Sequence, residues 1–372
     1  MAIDFSLTEE ERILVDAVAE FGKKEIYPNL RKFESEGVSE ELIRKVFELG
    51  VYSVEFSESI GGAGLGIFHR ALVTEELAAS GDPGITYSIF SHLPYSYLLN
   101  CISDEEKKEK YLKPVLTLEK KGILARCQIF DDLVETKVNF KRKNGELLLS
   151  GRAVIESEKP DFILIFANSD LENKTGLFVV ESKDVNFQRK LMRCGVCSSQ
   201  AFEIKINSSV KEDKVLSLDV LSSDKTKFMK ALSMMRLYTA SLITGLSRIC
   251  SEYSLKYSLD RIAFGQPIAY HQAISFMLSD TAIATETARL ALWKGCYLFD
   301  KKGEDDEVFD AVSEAFLEAI EVGYKTSSDA LQILGGQGYI KDHPVEKWMR
   351  DYREIANFLG SPDLVVGNLR NI

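Results

Sequence analysis

Two long stretches, residues 224–260 and 268–299, carry apolar residues at helical spacing, and a corner from Arg261 to Gln272 joins them. Ala231, Met235, Tyr238 and Leu242 recur on one side, and Ile274, Met277, Leu278 and Thr281 on the other. That period predicts two long helices meeting at a tight turn. The corner holds a fixed cation (Arg261), a ring (Phe264), a Gly265-Gln266-Pro267 turn and a side-chain amide (Gln272). Pro267 is expected in the first turn of the second helix, where its missing N–H is no loss. A corner arginine offers a planar fork of donors that suits a phosphate or pyrophosphate. It serves equally well as a cap or a surface residue.

The rest of the chain falls into blocks of different period. Residues 7–112 read as helices, with N-terminal signals at Ser6-Leu7-Thr8-Glu9-Glu10 and Val38-Ser39-Glu40-Glu41-Leu42. Gly61, Gly62, Gly64 and Gly66 break them with a loop. No Lys-Ser/Thr follows, so the loop is not a phosphate cradle. From about 118 to 222 the pattern shortens to apolar or alternating runs, such as Phe162–Ala167 and Ala201–Ile206, punctuated by Asn144-Gly145 and Asn173-Lys174. This is the signature of antiparallel strands. Helices return after about 223, and Lys301–Asp306 is a solvated connector between two of them. A chain of 372 residues exceeds the usual single core. The boundaries are placed at 1–117, 118–222 and 223–372, an α+β architecture.

Composition excludes several roles. A net charge of −11 argues against nucleic acid or an anionic membrane as partner. No apolar run is long enough to span a bilayer, and the start lacks the features of a signal peptide; a cytoplasmic location is expected. Six cysteines and four histidines form no complete metal-ligand set. Cys194-Gly195-Val196-Cys197 has redox spacing but reads as a loop.

Two further stretches extend the argument. Gln332-Ile333-Leu334-Gly335-Gly336-Gln337-Gly338-Tyr339 precedes Pro344-Val345-Glu346-Lys347-Trp348-Met349-Arg350-Asp351. With the Arg261 corner, Glu55–Gly66 and Glu75-Glu76-Leu77-Ala78, these resemble the QxxGGxGY, PVExxxRD, flavin-corner, PEEYGGxGLG and EELA elements of the acyl-CoA dehydrogenase family. The resemblance covers nearly the whole chain. It implies an N-terminal helical domain, a middle β domain and a C-terminal four-helix bundle, with FAD as cofactor and an acyl thioester as substrate. Carried over by residue, Arg261 and Phe264 would contact the FAD diphosphate and adenine, and Gln272 the same corner. Gln332, Gly335 and Gly336 would approach the FAD of a neighbouring subunit, so a homodimer or homotetramer is expected. Gln128, Ser157 and Ser361 would lie near the flavin. Arg236 and His92 are the candidate substrate ligands.

The departures are as informative. The family's Thr-Glu-Pro-x-Ala-Gly-Ser-Asp loop becomes Ala125–Asp132, and its Trp-Ile-Thr becomes Ile155-Glu156-Ser157. The two positions where the family carries its proton-abstracting glutamate are Leu359 and Met235. Glu354, Asp363, Tyr352 and Glu156 are the remaining candidates for a base. Without that glutamate the expectation is oxidation at a carbon bearing O–H or N–H. The precedent is the acyl-carrier-protein dehydrogenases that make hydroxy-, methoxy- or aminomalonyl extender units, with a separate acceptor reoxidising the flavin. The alternatives are a non-catalytic partner subunit of a hetero-oligomer, a flavin monooxygenase, and an ordinary fatty acyl-CoA dehydrogenase in which another acid serves as base.

Overall fold

A computed structural model describes residues 5–143, 146–303, 305–360, 362 and 365. The N-terminal part is helical: α1 Glu9–Phe21, α2 Leu30–Glu36, α3 Glu40–Glu48, α4 Ile67–Ser80, α5 Pro83–Ile89, α6 Leu93–Ile102, α7 Glu105–Lys107 and α8 Lys113–Leu116. Thr8 and Glu11 form a reciprocal capping box at α1, and Ser39 caps α3 through the N–H of Leu42. The glycine loop is closed by packing: α4 begins against the Asp300 carboxylate, which accepts the N–H groups of Ile67 and Phe68 at 2.9 Å each. A Cβ on Gly66 would lie 2.9 Å from that carboxylate.

The strands follow: β1 Gly122–Leu124, β2 Gln128–Ile129, β3 Val134–Glu135, β4 Val138–Lys143, β5 Glu146–Ile155, β6 Phe162–Ser169, β7 Thr175–Glu181, β8 Val185–Leu191, β9 Ala201–Val210 and β10 Val215–Ser217. The main sheet has the order β10-β7-β6-β4-β5-β9-β8, with β1 also on β6. It is mixed, not antiparallel throughout as the alternation predicts. Both β1 and β4 run parallel to β6, at its opposite ends. Alternation reports which face of a strand is buried and carries no information about neighbour direction. The long apolar run of β6 has a simple cause: Ile163 and Ile165 face the sheet's own core, whereas Leu164 and Phe166 join the helical core.

The C-terminal helices are α9 Lys225–Asp260, α10 Gln272–Lys302, α11 Asp306–Leu334 and α12 Val345–Ala356. The corner between α9 and α10 is a small hairpin, β11 Ile262–Ala263 with β12 Gln266–Pro267. Phe264 and Gly265 turn it at φ 52° and 85°. Pro267 therefore sits in a strand rather than in the first turn of α10, which starts only at Gln272.

The Pro344–Asp351 motif is a fastening. The Lys347 ammonium is fully buried between Asp82 Oδ1 at 2.6 Å and Asp351 Oδ2 at 2.5 Å. Trp348 Nε1–H donates to Asp82 Oδ2, and Asp351 Oδ1 accepts the N–H of Val196 at 2.6 Å. Arg350 reaches Glu34, Glu346 and the carbonyl of Cys194. One turn of α12 thus holds α2, α5 and the Arg193–Gln200 loop of the sheet domain. Lys347→Ala would leave two buried carboxylates without a cation. The expected loss is about 3–5 kcal/mol, read from urea denaturation.

Candidate active site

Strand β5 runs into the helical domains and ends at Ile155, followed by Glu156 and Ser157. Ile155 turns into the sheet's core. Glu156 points the other way and is buried. Its carboxylate accepts the Tyr87 hydroxyl at 2.7 Å and Arg126 Nε–H at 2.5 Å, and it pairs with Arg193 at 3.1 Å. Arg126 and Arg193 also pair with Glu354 of α12, which closes a four-charge ring. The Arg126 guanidinium lies over Phe358, 5.4 Å from the ring centre, and Tyr87 meets the same ring edge-on. Burial by itself raises the Glu156 carboxyl, but Arg126 and Arg193 outweigh it and hold the group below the usual range. Burial and Glu156 push the Tyr87 hydroxyl well up.

A cleft of about 650 Å³ opens onto this corner, lined by Tyr52, Ser88, His92, Glu156, Ser157 and Ser198 among others. His92 is therefore on a cleft wall, stacked on Tyr52 with ring centres 4.0 Å apart. Burial, and then the nearby Arg70, pull its pKa down to about 3, so it is a neutral imidazole.

Arg236, expected to hold a polar or anionic substrate group, is engaged within the chain. It is buried, ion-paired to Asp131, donates to the Ser313 hydroxyl at 2.8 Å, and stacks on Phe309 and Phe316. Met235 and Leu359, the two positions that carry the glutamate in the resemblance, are buried and apolar. Among the other acid–base candidates, Glu354 and Glu156 are in the charge ring, and the Tyr352 hydroxyl donates to the carbonyl of Ile320. Asp363 and Ser361 lie outside the described residues. Gln128 is exposed on β2 and pairs with Glu135.

The remaining candidates lie on the surface. Arg261 and Gln272 are exposed at the α9–α10 corner, and Phe264 is 97% exposed at its tip. Among the described residues the Arg261 guanidinium has no carboxylate partner. Gln332, Gly335 and Gly336 are exposed at the end of α11, and nothing lies within 4 Å of a Cβ built on either glycine. His271 holds the corner through a contact of 3.1 Å between Nε2 and the carbonyl of Ala263. The Cys194–Cys197 loop packs on α12, and the Cys197 thiol donates to the carbonyl of Arg193. Among the described residues no His, Cys, Asp and Glu side chains form a metal-binding group. No helix is long and apolar enough to cross a membrane.

The charge ring and the Asp131–Arg236 pair were not read from sequence. The available signal was charge in unexpected company: Arg126 follows the apolar Gly122–Ala125, and Glu156 follows the apolar end of β5.

Helical domain, mixed sheet and helical bundle together define the acyl-CoA dehydrogenase fold. The chain belongs to the acyl-CoA dehydrogenase family: residues 8–119 match the family's N-terminal domain and residues 226–367 its C-terminal domain. It is 30% identical to a 3-(aryl)acrylate reductase of Clostridium sporogenes, over 96% of each chain. It is 26% identical to a benzylmalonyl-CoA dehydrogenase of Aromatoleum aromaticum, over 94% of each. The solved butyryl-CoA dehydrogenase of Megasphaera elsdenii has the same fold, with a TM-score of 0.86 at 23% identity over all of both chains.

The depressed Glu156 carboxyl makes the ring pH-dependent. Its contribution to stability is fully present above the unfolded carboxylate value of about 4.3. It is lost as pH falls through the lower folded value. The urea midpoints of the native protein and of Glu156→Gln should therefore differ most near neutrality and converge toward pH 3. A constant gap would contradict the assignment.

Proposed function

We propose that this chain oxidises a small acyl thioester at a carbon bearing a hydroxyl or an amine, rather than desaturating an unactivated Cα–Cβ bond. The observation that carries this reading is the apolar burial of both Leu359 and Met235. Taking an α-proton from a thioester needs a positioned base. Among the described candidates for a base, Glu156 and Glu354 are engaged with Arg126 and Arg193, and the acid beside Arg236, Asp131, is paired with it. A proton on oxygen or nitrogen leaves through water without such a base.

FAD, when bound, supplies the hydride acceptor. The unpaired Arg261 fork suits its diphosphate, the projecting Phe264 ring suits its adenine, and Gln272 adds an amide beside them. Gln128 and the Ser157 hydroxyl are the residues this reading puts at the flavin ring. A second copy of the chain brings Gln332, Gly335 and Gly336, whose bare backbone admits close approach. Phe276, Ile283 and Leu290 support that second copy. They repeat every seventh residue on α10 and are 59%, 67% and 45% exposed, an apolar seam that the described residues of one chain leave uncovered.

The substrate handle in this reading is the pantetheine arm that CoA and acyl carrier protein share. Benzylmalonyl-CoA dehydrogenase is named for a CoA thioester, so CoA is the first comparator. Carrier-bound hydroxy-, methoxy- and aminomalonyl units are the finer substrate class to be tried beside it.

The protein purified alone should show an oxidised-flavin spectrum. Anaerobic 2-hydroxysuccinyl- or 2-aminosuccinyl-pantetheine should bleach it, and the matching succinyl thioester should not. Equal bleaching by the succinyl compound would sink the reading. Arg261→Ala should lose most of its FAD on dialysis, and Ile283→Glu should lower the oligomeric state seen by light scattering.

A further inference from the structure

Strands β2 and β3 contribute two residues each and, among the described residues, pair only with one another. A ladder that short does not hold itself together in water. The hairpin keeps its place through what it docks on. Its two ends are fixed to the main sheet: the N–H of Arg126 donates to the carbonyl of Val154 at 2.7 Å, and the Thr136 hydroxyl to that of Phe166 at 3.0 Å. Between these hinges its ties run to the C-terminal part. The N–H of Ile129 donates to the carbonyl of Leu359 at 2.9 Å, and Asp131 at the turn is ion-paired to Arg236 of α9. Ile129, Phe130 and Val134 are buried. A Cβ on Gly360 would come 3.1 Å from the Phe130 ring, so the fit is close.

Of these ties, the ion pair is the one a ligand can compete for. The Arg236 guanidinium lies 4.9 and 5.8 Å from the ring centres of Phe309 and Phe316, and its neutral partner is the Ser313 hydroxyl. Asp131 supplies the opposite charge. A buried guanidinium stripped of its carboxylate is strongly unfavourable, so Asp131 leaves readily only when another anion takes its place.

We propose that the Asp131–Arg236 pair is a latch that holds this hairpin shut over Leu359, and that the carboxylate of an anionic acyl thioester opens it by replacing Asp131 on Arg236. The inference rests on the acyl-thioester reading for its substrate and narrows that reading to acyl groups carrying a free carboxylate. The malonyl-type units named above carry one. A neutral acyl chain has nothing to exchange for Asp131 and leaves the hairpin closed. Selection then comes from exchanging one ion pair for another, in a site that keeps its cation neutralised at every stage.

Amide hydrogen exchange of the flavin-loaded protein, read by mass spectrometry, tests both parts. In Asp131→Asn, residues 127–135 should exchange about tenfold faster than in the native protein, while α9 is unchanged. Asp131→Ser serves if the first variant does not fold. In the native protein, succinyl-pantetheine should speed the same segment, and butyryl-pantetheine, of equal chain length without the carboxylate, should not. Unchanged exchange in the variant overturns the latch. An equal response to the two thioesters overturns its opening by an anion. Binding of each thioester is followed separately by flavin absorbance. If neither binds, the acyl-thioester reading fails and the anion-driven opening falls with it, while the variant still decides the latch.

Discussion

The architecture depends on one buried cation. Lys347 is closed off from water between Asp82 and Asp351, and those two carboxylates belong to different parts of the chain. Asp82 also caps the start of α5 through the N–H of Ile85. Asp351 fixes the sheet domain's loop at Val196. A charge in so apolar a place is tolerated only when its partners are held in position. The requirement works in both directions: the helices place the carboxylates, and the ammonium ties the helices to the sheet. The burial of this triad sets the relative position of α5, α12 and the Arg193–Gln200 loop, and so of every group at the end of β5.

That placement explains how a four-charge ring can sit where the family resemblance puts flavin contacts. Arg193 comes from the loop that Asp351 holds, Glu354 from the next turn of the same helix, and Tyr87 from the helix that Asp82 caps. Arg126 and Glu156 come from the sheet. Each element is fixed by something other than the ring, so the ring inherits a defined geometry. Two cations and two carboxylates leave the cluster with no net charge. This spares a buried corner the cost of an isolated ion.

At the same corner Glu156 and Glu354 are both tied to Arg126 and Arg193. Sequence alone showed that Leu359 and Met235 are not glutamates. The structure adds that both are buried in the helical core, to which Ile129 and Val134 of the hairpin also belong. An apolar, covered site favours chemistry in which the proton leaves from oxygen or nitrogen, and it gives the hairpin a role as cover.

The succession of helical, alternating and again helical periods, the corner at Arg261, the caps at Thr8 and Ser39 and the family motifs were all legible in the sequence. Each is a local pattern, and hydrophobic periodicity and capping are properties of neighbouring residues. Strand direction was not legible: β1 and β4 lie parallel to β6 because of where the chain returns, which the burial pattern of a strand does not encode. Nor was Pro267's place in a two-residue strand, since a hairpin of that size leaves no period. Arg236 shows no ion-pair partner in its own stretch of sequence. Its partner, Asp131, lies more than one hundred residues away in the chain and reaches it only across the folded structure. The sequence by itself determined the elements, the family and the absence of the usual glutamate. The tertiary structure alone decided which charges meet, because ion pairing depends on distance in space, and that distance exists only after the sheet and helices have packed.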